Sequence, residues 1–172
     1  LEGYLVYNHQ LIEQAILFAR SHKMGISLDL ASYNVVEANR DFLTRVIRES
    51  VDIVFANEQE ALALTGLEPE AAVEAIAKLC KVAVVKVGAR GSWIMTGQDR
   101  YFVDAYRVQA IDTTGAGDLY AAGFLYGYLN NWPWEACGKL GSLVASEVIQ
   151  VIGAKIPATA WNRINQLKTT MV

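Results

Sequence analysis

Cysteine is scarce in this sequence: only Cys80 and Cys137 occur, each in an apolar helical context and in no spacing that suits a metal. That excludes a disulfide framework and a cysteine-ligated zinc site, and leaves two buried free thiols in a reducing cytosol as the expectation. Histidine is equally rare. His9 and His22 are isolated, which points to surface or helix-face positions. Long hydrophobic runs are missing as well. The longest, Leu119 to Leu129, falls far short of the roughly 20 apolar residues a membrane-spanning helix needs. No signal peptide is recognisable, so neither a membrane partner nor export is expected and the location implied is cytoplasmic. Basic charge is not in excess. Fifteen Lys and Arg against 18 Asp and Glu give a net charge of -3, which offers nothing to a nucleic-acid partner. Repeats, low-complexity segments and linkers are also absent. What is present is apolar material: 53% of 172 residues, enough to bury one sizeable core and most simply one domain over residues 1–172.

Short apolar runs alternate with helical patterns, which argues for an α/β domain built on a mainly parallel sheet flanked by helices. Gly3-Tyr4-Leu5-Val6 reads as a buried strand with no lead-in, so Tyr4–Tyr7 is predicted to be the first strand, set in the middle of a sheet. Strands follow at Ile26–Leu30, Asp52–Ala56 and Val82–Val87; the last is almost wholly apolar and β-branched, as a strand covered on both faces would be. Helices are predicted over Gln10–Lys23, Val35–Glu49 and Glu58–Leu64, the last stopped by Gly66, and from Pro69 to Leu79. Ser92–Met95 and Tyr101–Val103, split by Thr96-Gly97-Gln98-Asp99, read as a hairpin at one sheet edge. Three helices close the chain: Asp118–Asn130, Pro133–Val151 and Thr159–Leu167. Tyr120, Phe124, Tyr126 and Tyr128 follow a helical period, which favours core packing over a stacking platform.

The most informative stretch is Asp112-Thr113-Thr114-Gly115-Ala116-Gly117-Asp118, running straight into an apolar helix. Small residues leave the backbone uncovered, and a Gly-rich turn at a helix start aims peptide N–H groups and the positive end of the helix dipole at one point. A phosphoryl group in transfer suits that point, and Asp118 beside it suits the removal of a proton from a hydroxyl. The plainer alternative makes Asp118 an N-cap and nothing else. Other phosphate motifs fail on spacing. A dinucleotide fingerprint needs a third glycine where Tyr120 stands, and no Gly-x4-Gly-Lys-Ser/Thr occurs, since Gly138-Lys139 is followed by Leu140. A nicotinamide oxidoreductase is disfavoured on the same ground.

The run DTTGAGDLYAAGFLYGYL resembles the C-terminal signature of the ribokinase and phosphofructokinase-B family of carbohydrate and nucleoside kinases. The resemblance implies a ribokinase-like fold and ATP-dependent transfer of the γ-phosphoryl group to a primary hydroxyl of a sugar or nucleoside. Carried over, Gly115, Ala116 and Gly117 form the anion hole and Asp118 is the base. Asn57-Glu58-Gln59-Glu60 matches the family's Asn-x-x-Glu, with Asn57 near the nucleotide phosphates and Glu60 organising magnesium (Mg2+) through water. An acid in a first helical turn is also plain dipole compensation. Lys86-Val87-Gly88-Ala89-Arg90-Gly91 resembles the nucleotide-contacting turn, where Gly88 and Gly91 permit close approach and Lys86 or Arg90 neutralises phosphate charge; solvated turn charges are the alternative. Asp112 and Thr114 occupy positions that in several members supply oxygens to potassium (K+), although Lys155-Ile156-Pro157 departs from the serine-bearing partner loop, and Asp112 serves equally as a loop cap. Asp29 and Asn34, on the same rim, stand behind the site's ligands or on the substrate's side and no closer.

Members of the family run to roughly twice this length, so the resemblance implies an absent N-terminal part with its sugar-contacting motif and β lid, and a whole enzyme that can pair as a homodimer. These residues alone are then expected to be inactive. A non-catalytic nucleotide-binding fragment or regulatory module of the same fold is the alternative.

Overall fold

The computed structural model describes residues 1–171, which form two compact units: Leu1–Val87 with Trp93–Arg100, and Gly88–Ser92 with the residues from Tyr101 onward. In the first unit, β1 (Ser27–Asp29), β2 (Ile53–Asn57) and β3 (Val82–Lys86) run parallel. Ser27 stands opposite Ile53, Ile53 opposite Val82 and Asn57 opposite Lys86. In β2 and β3 every residue but the last is buried, because helices must cover both faces of such a sheet. Those helices are α1 (His9–Ser21), α2 (Tyr33–Ala38), α3 (Arg40–Ser50), α4 (Glu58–Thr65) and α5 (Pro69–Ala77). Each packs an apolar stripe inward, as α3 does with Leu43, Val46 and Ile47, and Pro69 opens α5 where its missing N–H costs nothing. β4 (Gly91–Thr96) and β5 (Asp99–Asp104) complete a sheet of order β1-β2-β3-β4-β5. β5 is mostly exposed, so the edge hairpin stands as expected, and the mixed five-stranded sheet with flanking helices is the architecture that the resemblance implied.

The second unit is built on α6 (Ala116–Leu129), α7 (Trp134–Val148) and α8 (Ala160–Lys168). The backbones of α6 and α7 nearly touch. A Cβ on Gly123 would sit 2.8 Å from the Leu140 carbonyl oxygen, and one on Gly141 would sit 2.8 Å from that of Tyr120. Below this contact Leu140, Leu143, Val144, Val148, Ile156 and Ile164 form the unit's core. Arg163 of α8 reaches the buried Glu147 of α7 at 3.3 Å and ties the last helix down.

Four expectations need correction. Tyr4–Tyr7 is not a strand; Gly3–Tyr7 is a 3₁₀ turn, with Gly3 and Val6 buried and Tyr4, Leu5 and Tyr7 exposed. Only Glu2 pairs with β1, through a single bridge to Asp29, and the chain then turns because Gly3 lies against the Leu30 carbonyl, where no side chain fits. An apolar run of four has no periodicity that separates strand from turn. The helix predicted over Val35–Glu49 is broken at Asn39, whose backbone leaves the helical region while its side chain bonds back to the Val35 carbonyl at 3.0 Å. Cys80 lies beyond the end of α5 rather than within a helix and is only half-buried, whereas Cys137 is buried on α7. Burial nevertheless pushes the Cys80 thiol up to about 12 and that of Cys137 up to about 11, so both are inert at neutral pH. The aromatic run divides: Tyr120 and Phe124 are core, but Tyr126 and Tyr128 are exposed.

Candidate functional site

In the second unit Gly115 is the N-cap of α6, with φ 77°, and a Cβ there would meet Ala154 Cβ at 2.6 Å. Both the left-handed backbone and the close approach therefore require glycine. Asp118 is three residues further, inside the first turn. It does not cap the helix, and its exposed carboxylate makes no hydrogen bond among the described residues. The Ala116 amide is spent on the Thr113 carbonyl at 3.1 Å, but the amides of Gly117 and Asp118 donate to nothing among the described residues. A pair of N–H groups without partners among the described residues, at a dipole's positive end next to an unpaired carboxylate, makes a small, polarised site.

Asp112 clamps this turn from below. Its Oδ1 accepts from the Thr114 amide at 2.9 Å and from the Thr114 hydroxyl at 2.7 Å, and its Oδ2 accepts from the Gly153 amide at 2.8 Å. These donors, the Thr114 hydroxyl first, hold its carboxyl below the usual range. Both oxygens of Asp112 thus accept hydrogen bonds from the loop. Gly115→Ala should test the turn directly. A side chain at positive φ costs on the order of 1–3 kcal/mol, and the clash with Ala154 adds to it; thermal unfolding should show a clearly lowered Tm, whereas an unchanged Tm would mean that the turn is pliable.

The first unit gathers a second group at the carboxyl ends of its parallel strands, where open α/β sheets place ligands. Asn57 ends β2 and caps α4 in a reciprocal box: its Oδ1 accepts from the Glu60 amide at 2.9 Å, while Glu60 accepts from the Asn57 backbone N–H and Nδ2 at 2.7 Å each. Glu60 is only 3% exposed. Burial, with the Asp29 charge adding to it, raises its carboxyl above the usual range. Lys86, at the end of β3, donates to Asp29 Oδ2 at the end of β1 at 2.8 Å, and both side chains are largely buried. Removing one partner of such a pair strands the other charge at a cost of up to about 3–5 kcal/mol. This pairing was not anticipated. Opposite charges ending two apolar strands were the available signal, but only the register across β2 brings them together. Asn34, by contrast, is drawn into the start of α2.

Of the expected nucleotide turn, Lys86 to Gly91, Lys86 and Val87 belong to the first unit and Gly88 to Gly91 to the second. Gly88–Arg90 is a 3₁₀ turn with Gly88 at φ 58°, Arg90 is exposed, and Gly91 has φ 132° with its Cα against the Val103 carbonyl. No group of three His, Cys, Asp or Glu able to hold a metal exists among the described residues, so the acids present suit only a metal bound mainly by water and a ligand's own oxygens. No helix among them is long and apolar enough to cross a membrane.

Comparison with known proteins gives this geometry a context. The family model described as pfkB family carbohydrate kinase matches residues 4–161. A probable sugar kinase protein from Rhizobium etli CFN 42 is 39% identical, with a TM-score of 0.91 over 99% of this chain and 53% of its own. An adenosine kinase from Sinorhizobium meliloti is also 39% identical, with a TM-score of 0.89 over 96% of this chain and 53% of its own. A cytidine kinase of Thermococcus kodakarensis is 34% identical over 149 residues, 82% of this chain and 52% of that protein. The chain spans about half the length of the relatives it matches.

Proposed function

Because the chain belongs to the pfkB family of carbohydrate kinases, we propose that it carries the phosphoryl-transfer machinery of an ATP-dependent sugar or nucleoside kinase. The observation that carries this reading is Asp118: an exposed, unpaired carboxylate held in the first turn of α6 beside two free amides. Phosphoryl transfer asks the protein for positioning and charge stabilisation more than for covalent chemistry. The amides of Gly117 and Asp118, with no side chain on Gly115 or Gly117, stabilise charge building on the transferred group, and Ala116 presents only a methyl. Asp118 accepts the proton of the acceptor's hydroxyl. Gly88, Arg90 and Gly91 serve the nucleotide through backbone approach and charge. Asn57 serves the nucleotide's phosphates and Glu60 its metal through water, and magnesium, when bound, supplies positive charge to the phosphate oxygens.

The kinase reading is tested by incubating the full-length protein with Mg2+ and ATP against ribose, adenosine and cytidine, with phosphomonoester products detected by mass spectrometry. One of these, or a close analogue, should be phosphorylated. ATP binding without product from any alcohol would return the site to a nucleotide-binding module without chemistry.

Glu60→Gln separates metal service from capping. The amide keeps the side chain's length and part of the box, but loses the charge. The half-saturating Mg2+ concentration at fixed ATP should rise by roughly tenfold or more, the range for groups that act behind a metal's ligands, while free ATP binds as before. An unmoved Mg2+ midpoint would leave Glu60 as a helix cap and nothing else.

A further inference from the structure

Lys86 ends β3 and Asp29 ends β1, so their 2.8 Å contact reaches across the end of β2, where Asn57 stands opposite Lys86 in register. Both side chains are close to 15% exposed, at 15% and 16%, so the ammonium is committed inward rather than extended into solvent. The other oxygen of Asp29 is also in use: Oδ1 accepts from the Ala31 amide at 3.0 Å. Ala31 has φ 66°, a left-handed conformation that an alanine adopts only when its surroundings impose it. One carboxylate thus holds a strained turn with one oxygen and a lysine with the other. Glu60, buried in its capping box with Asn57, feels the charges of both Asp29 and Lys86.

We propose that Lys86 is a positioning residue, acting through Asp29, and not itself a phosphate ligand. Its ammonium holds the Asp29–Ala31 turn across the end of β2 and balances one of two neighbouring carboxylates. The Asn57–Glu60 pair beside it is thereby fixed in the arrangement that serves the nucleotide's metal. What is being positioned rests on the kinase reading; the pairing itself does not. A lysine used for phosphate acts as a point charge on the ligand itself, and its loss weakens nucleotide binding whatever happens to Asp29. A lysine used through Asp29 shares its phenotype with that acid, because either substitution removes the same link.

The experiment is a double-mutant cycle in the full-length protein with Lys86→Met, Asp29→Asn and the two combined, plus Lys86→Arg as the conservative variant. The midpoint of the Mg2+ titration at fixed ATP should rise by about tenfold in each single variant, a loss typical of groups behind a metal's ligands. It should rise no further in the double variant and return most of the way in Lys86→Arg, with free ATP affinity unchanged throughout. Without any nucleotide, the amides of Ala31 and Ser32 should exchange faster with solvent in both single variants, again without addition in the double. Loss of free ATP binding in Lys86→Met but not in Asp29→Asn, or single effects that simply add, would overturn the proposal and make Lys86 a phosphate ligand. Were Lys86→Met to misfold, Asp29→Asn against Lys86→Arg still decides between the two roles. A protein that binds no nucleotide at all would sink the kinase reading, while the exchange measurements would still support or overturn the positioning role.

Discussion

Asp118→Asn in the full-length protein is expected to remove turnover while leaving nucleotide binding and folding nearly intact. The substitution keeps the side chain's shape and takes away only its capacity to accept a proton. Loss of a general base lowers rates by on the order of 10² to 10⁴, and here nothing nearby is placed to substitute, since both oxygens of Asp112 are engaged by Thr114 and Gly153. The structural cost should be slight. The N-cap is Gly115, and the carboxylate bonds to nothing among the described residues, so asparagine breaks no contact and forfeits only a modest dipole interaction, about 0.3–1 kcal/mol. Steady-state turnover alongside ATP binding by calorimetry checks the split. A variant that kept more than about half of wild-type turnover would contradict the base assignment, because the expected loss is at least a hundredfold.

That separation of roles shows how the sequence carried its information. Local chemistry was legible wherever a residue type is nearly compelled by its position. Gly66 ending α4, Pro69 opening α5 and the buried run of β3 each follow from one backbone constraint or one burial pattern. The turn from Asp112 to Asp118 was legible for the same reason, and the structure sharpens it by moving the N-cap to Gly115 and releasing Asp118 from that duty. Where the outcome depends on partners distant in sequence, the chain alone was silent. Tyr4–Tyr7 looked like a strand because nothing local reveals that Gly3 is pressed against Leu30. Asn39 looked like an ordinary helical residue until its side chain was seen bonding back to Val35. Lys86 read as a charge for phosphate or for solvent at a strand end. Its partner lies 57 residues earlier and is brought within reach only by the parallel register of three strands.

The 172 residues alone, assayed with Mg2+, ATP and ribose, adenosine or cytidine, should give no phosphorylated product above background. The proposed base and free amides are formed within them, so the failure would not come from missing chemistry. It would come from missing positioning. The relatives matched here are about twice as long, and we propose that the groups that grip the acceptor belong to the part of such a kinase that this chain does not span. Holding an alcohol at near-attack distance from its base and phosphoryl donor is worth up to roughly 7–11 kcal/mol of the barrier, and at about 1.36 kcal/mol per tenfold in rate such a deficit takes an ordinary kinase turnover below detection. Exposed apolar side chains on the first unit, among them Tyr7, Leu17 and Phe18, at 67%, 66% and 60% accessibility, should also make these residues self-associate in isolation. Light scattering alongside the assay separates the two effects. A monomeric 172-residue protein turning over any of these alcohols at about 1–100 s⁻¹, the usual kinase range, would show instead that the acceptor site lies among the residues described, and that the other half of its relatives serves something other than catalysis.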